Sequence, residues 1–91
     1  MEEAITKLVV QSFKKLGWKA RVLNNGIIES EYRPYEALVD THVSPNKVEV
    51  YYCDDDSGNP RSLTVSTCSP NFTDDFIRVI KALEPKPEPW L

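Results

Sequence analysis

Glycine, cysteine and histidine are all scarce in this chain of 91 residues: three, two and one. Each scarcity excludes a kind of chemistry. The glycines stand apart at Gly17, Gly26 and Gly58, so no glycine-rich loop is available to cradle a phosphate. Cys53 and Cys68 are too few for a disulfide scaffold. With His42 they still fall short of the four ligands of a structural zinc site. Two thiols fit a reducing compartment. No apolar run approaches the roughly 20 residues that span a bilayer. The opening MEEAITKLVV lacks the basic stretch, apolar core and cleavage site of a secretion signal, so the expected location is cytoplasmic. The sequon Asn71-Phe72-Thr73 is then without consequence. No G-x-S-x-G, H-E-x-x-H or C-x-x-C occurs, and no residue is assigned a catalytic, cofactor-binding or metal-binding role.

Charge of one sign is also missing. The net charge is −3, without the strong basic field of a dedicated nucleic-acid binder. The distribution is uneven. Lys7, Lys14, Lys15, Lys19 and Arg21 outnumber Glu2 and Glu3 in the first 21 residues, and the rest of the chain is acidic.

Hydrophobic spacing supplies the elements. Ile5, Leu8, Val9, Phe13 and Leu16 recur at helical intervals and predict an amphipathic helix over 2–16. Lys14 and Lys15 sit at its negative end, and Gly17 is a natural left-handed stop. Trp18 then falls where a hydrophobic residue packs back on Phe13. Two short strands, 19–23 and 27–32, flank Asn24-Asn25-Gly26, a hairpin signal. A third extended piece is expected over 37–43. Lys47–Asp54 alternates Val48, Val50 and Tyr52 with Glu49, Tyr51 and Cys53. The last strand is expected over 62–68, with Leu63 and Val65 on one side. Phe72, Phe76, Val79, Ile80 and Leu83 mark a second helix over 71–83, with Asn71 as its expected cap.

The expected fold is α+β, a two-layer sandwich. An antiparallel meander of four to five strands lies between an N-terminal and a C-terminal helix. Val48, Val50, Leu63 and Val65 should share a buried face with Phe13 and Phe76. Residues 1–84 form a single domain, and 85–91 a proline-rich tail.

The densest cluster of potential ligands is CDDDSGNP, residues 53–60. Counted from Asp54, the fifth position of a calcium loop falls on Gly58 and the bidentate twelfth on Val65, so the calcium-loop pattern fails. Asp, Ser, Gly, Asn and Pro are residues of a solvated turn, and that is the reading adopted. Neither cysteine is expected to pair. With the hairpin centred near Ser57-Gly58, Cys53 lies opposite about 62–64 and Cys68 opposite 47–49, several residues apart.

The order helix, three strands, helix resembles the double-stranded-RNA-binding domain in outline. That family carries a lysine cluster at the start of its second helix. The matching stretch here, Ser69 to Asp75, has no lysine and has Asp74 and Asp75, which repel phosphates. The family's binding residues therefore do not carry over.

What remains is aromatic surface. Tyr32, Tyr35 and Tyr51 lie in or beside the sheet, and Trp90 and Leu91 end the tail. Tyrosine and tryptophan concentrate at interface hot spots. The expectation is a non-catalytic protein-interaction module of the adaptor, inhibitor, immunity or chaperone-like kind. Its partner-binding residues are Tyr35, Tyr51, Trp90 and Leu91, and free strand edges favour a homodimer. One alternative is a nucleic-acid-associated domain using Lys14, Lys15, Lys19 and Arg21 as an anion contact. Another is an enzyme with an unrecognised site.

Overall fold

A computed structural model describes residues 2–33, 37–53 and 58–84. The elements run α1 (Glu2–Lys15), β1 (Lys19–Val22), β2 (Ile28–Tyr32), β3 (Ala37–Val43), β4 (Lys47–Cys53), β5 (Pro60–Ser66) and α2 (Phe72–Leu83). The five strands form one open antiparallel sheet in sequence order, β1-β2-β3-β4-β5. The architecture is the expected helix, meander, helix.

Two of the turns and the end of α2 have a local cause. The β1–β2 hairpin closes around Gly26 at φ 87, while the Asn25 side chain accepts the Ile27 N–H at 3.1 Å. A three-residue loop ending in a left-handed glycine suits such a hairpin. The β3–β4 turn is closed by the Ser44 N–H donating to the Lys47 carbonyl at 2.9 Å. Helix α2 ends at Glu84, whose extended backbone (ψ 137) is what the following Pro85 requires.

Both helices pack on one face of the sheet. Helix α1 lies over β1, β2 and β3, and α2 lies against α1 and β5. Between the layers, Val9 and Phe13 of α1 meet Ile28, Val39, Val48, Val50 and Val65 of the sheet and Phe72, Phe76 and Ile80 of α2. Burying such side chains contributes about 1.5–3 kcal/mol each. The phase of β4 is as expected: Val48 and Val50 are fully buried, facing Val65 and Leu63 across the β4–β5 ladder.

Two details differ from the sequence reading. The last strand is Pro60–Ser66, not 62–68, so Cys53 faces Pro60, and Cys68 lies beyond the strand. Proline can open an edge strand because no ladder bond needs its missing N–H. Both thiols are free and exposed. Asn71 occupies the N-cap of α2, but its side chain makes no capping bond; instead Ser69 Oγ accepts the Asn71 N–H at 3.2 Å.

Candidate functional site

The alternation that buries Val48 and Val50 turns their neighbours outward. The face opposite the helices carries Lys19 and Arg21 from β1, and Glu29 and Glu31 from β2. Strand β3 adds Leu38, Asp40 and His42, β4 adds Lys47, Glu49, Tyr51 and Cys53, and β5 adds Ser62, Thr64 and Ser66. No helix covers it among the described residues.

Tyr51 is the organising residue of this face. It stands on β4, flanked by Asp40 of β3 and Ser62 of β5. Its hydroxyl donates to Glu49 Oε2 at 2.8 Å, two residues along the same face. Lys47 Nζ reaches Glu49 Oε1 at 3.5 Å. On β3, His42 sits opposite Glu49 and packs its ring edge-on to Tyr51, centroids 4.8 Å apart. The ring is thus held at its tip and along one side, yet Tyr51 remains 39% exposed.

The hydrogen bond shifts both titrations. Donation from Tyr51, helped by nearby Lys47, holds the Glu49 carboxyl below its ordinary value. The same bond, with partial desolvation and the carboxylate charge, pushes the Tyr51 phenol above its own.

Leu38 adds an apolar element. It lies one outward position along β3 from Asp40, the cross-strand neighbour of Tyr51, and is 62% exposed. The alternation of Leu38, Asp40 and His42 against Ala37, Val39 and Thr41 marks it in the sequence, although aromatic side chains alone do not.

The other expected site residues fall differently. Tyr35, Trp90 and Leu91 lie outside the described residues, as do Asp54, Asp55 and Asp56. Tyr32 is half-buried on the helix side, 5.2 Å from the Trp18 ring. The four cations divide between layers. Lys14 and Lys15 end α1, on the helix side, whereas Lys19 and Arg21 face outward from β1. Arg21 is engaged by Glu29, with Nη2 at 2.6 Å and Nε at 2.9 Å from Oε1.

A cleft of about 470 Å³ opens between the start of α1 and the β1–β2 hairpin, lined by Glu3, Lys7, Val22, Ile27, His42 and Val43 among others. Among the described residues, no three His, Cys, Asp or Glu side chains are grouped to hold a metal ion, and no helix is long and apolar enough to cross a membrane. Compared with known proteins, the chain matches no family model, no curated protein and no solved structure.

Proposed function

We propose that this protein is a non-catalytic interaction module that docks a protein partner on the open face of its sheet. The observation that carries the reading is Tyr51, exposed on that face and held in place by Glu49 and His42. An immobilised tyrosine loses little rotamer freedom when a partner covers it, so more of its contact area becomes affinity. Leu38 supplies an apolar contact on the same face. Lys19, Arg21 and Lys47 alternate with Glu29, Glu31, Asp40 and Glu49, giving a mixed polar rim that favours a partner with its own paired charges.

Binding of a nucleic-acid backbone is less well supported. The four carboxylates on the face oppose phosphate, and Arg21 is already neutralised by Glu29.

The test compares three tagged full-length chains in the native host. They are the wild type, a variant combining Leu38→Asp and Tyr51→Ala, and one combining Lys14→Ala and Lys15→Ala. A partner retained by the wild type and the lysine variant, and lost by the face variant, is the expected outcome. A partner that ignores the face substitutions and is lost with the lysines places docking on the helix layer and overturns the reading.

A further inference from the structure

The sheet has two edges, and they are built differently. Strand β1 is four residues long and carries Lys19 and Arg21. Pairing it antiparallel with its own copy sets cation against cation, which guards that edge. Strand β5 is seven residues long and carries a single charge, Arg61, near its start; from Ser62 to Cys68 the chain holds no charged residue.

The hydrogen-bond phase of β5 follows from the turn beside it. The Thr67 N–H donates to the Asn46 carbonyl at 3.1 Å, continuing the β4–β5 register by one pair. Antiparallel bonding alternates, so Val65 and Leu63 also bond toward β4. The N–H and C=O groups of Ser62, Thr64 and Ser66 therefore point away from the sheet, along its edge. Pro60 falls in the same outward phase, where it has no N–H to offer.

We infer that β5 pairs antiparallel with β5 of a second copy about a two-fold axis at Thr64, joining two sheets into one of ten strands. The sequence of the edge is self-complementary about that residue. Thr64 meets Thr64, and Ser62 meets Ser66 in both directions. Those three pairs exchange two backbone bonds each. On the outer face the contacts are hydroxyl to hydroxyl, a favourable cross-strand combination. On the helix side Leu63 meets Val65 of the second copy. Leu63 is half-buried, opposite Val50 across the β4–β5 ladder and at the sheet margin on its other flank. The second strand completes its cover and extends the core across the axis. Ser62 flanks Tyr51 on the open face, but the pairing rests on the backbone groups of the β5 edge and not on the Tyr51 or Leu38 side chains, so it stands or falls apart from the proposed partner site.

The experiment is sedimentation of the full chain from low to high micromolar concentration under reducing conditions, joined to amide exchange. A concentration-dependent dimer is expected, and the Ser62, Thr64 and Ser66 amides should gain protection as it forms. Thr64→Lys places two ammonium groups against each other across the axis, while within its own chain it faces Glu49. It should weaken the dimer at least fivefold with no loss of melting temperature measured at monomer concentration. Thr64→Pro removes only an outward N–H and should abolish the dimer. A full chain that stays monomeric overturns the inference. If removing residues 85–91 then produces a dimer, the chain's own tail takes the edge instead. A dimer indifferent to Thr64→Lys, or one in which the three amides stay unprotected, also overturns it.

Discussion

Trp18 donates its backbone N–H to the Phe13 carbonyl at 2.9 Å and packs its ring edge-on against the Phe13 ring, centroids 5.2 Å apart. Between them, Gly17 at φ 89 donates to the Lys14 carbonyl at 3.1 Å. This pair of bonds and its hydrophobic contact end α1 and turn the chain into β1. The rings continue on both sides. Phe13 meets Phe76 of α2 at 5.6 Å, and Trp18 meets Tyr32 of β2 at 5.2 Å. One helix stop thereby ties both helices and the sheet together.

Gly17→Ala isolates the backbone term of that stop. A Cβ at this position meets no atom within 4 Å, so only the left-handed conformation resists it. The expected cost is about 1–2 kcal/mol, read as a fall of roughly 4–8 °C in melting temperature per kcal/mol. Trp18→Ala should cost about 3–5 kcal/mol, because it empties part of the core. A glycine variant that melts like the wild type contradicts the left-handed stop.

Two buried hydroxyls should be better absent. Ser30 and Thr41 are fully buried on the helix side of the sheet, and neither Ser30 Oγ nor Thr41 Oγ1 has a hydrogen-bond partner among the described residues. An unsatisfied buried polar group costs about 1–3 kcal/mol. Thr41→Val keeps the shape and removes the polar atom, so it should stabilise the fold by about 1 kcal/mol. Denaturant unfolding checks this, and a loss of stability in Thr41→Val shows that the hydroxyl is bonded after all.

The Glu49–Tyr51 bond predicts its own pH dependence. The Glu49 carboxyl is held low, so its contribution is present above the unfolded value and is lost as pH falls through the folded one. The Tyr51 phenol is pushed up, so its contribution is complete below about 10 and is lost as pH rises through the folded value. The difference between the phenolate absorbance titrations of the wild type and Tyr51→Phe should show a residue titrating late. In a Glu49→Gln background the same difference should move back toward the ordinary value. A Tyr51 titration indifferent to Glu49→Gln excludes the bond in solution.

The two faces of the sheet should answer substitution differently. Leu38→Ser, on the open face, should change stability by less than about 0.5 kcal/mol. Ile28→Ala, at a fully buried position of β2, should cost about 2–5 kcal/mol. Equal costs at the two sites would mean that the open face is covered in the free protein.

Much of this was readable from residue order. Val48 and Val50 against Glu49 and Tyr51 fix the phase of β4, because a strand has period two and only one side can face the helices. Phe13 and Phe76 follow from helical spacing in the same way. The start of β5 was not readable. Ser57-Gly58-Asn59-Pro60 looks like a turn throughout, and only the sheet order shows that Pro60 sits on an edge that requires no donor. At the start of α2, Asn71 takes the N-cap as its sequence suggests, but backbone geometry leaves its side chain without a capping bond and puts Ser69 Oγ on the Asn71 N–H instead. For the site, the outward direction of Tyr51 came from alternation. Its contact with His42 depends on the β3–β4 register, which the turn at 44–47 sets and composition does not.

Docking of a protein partner on the face around Tyr51, as proposed, can be located by cross-linking. A photo-cross-linking amino acid can be placed, one position per variant, at Leu38, Asp40, Lys14 or Lys81 of the full chain, followed by irradiation in the native host. The first two positions lie on the open face and the last two on the helix layer. One discrete adduct is expected from Leu38 and Asp40 that disappears when Tyr51→Ala is added, and none from Lys14 or Lys81. Adducts from the helix positions alone, or face adducts that survive Tyr51→Ala, would contradict the proposal.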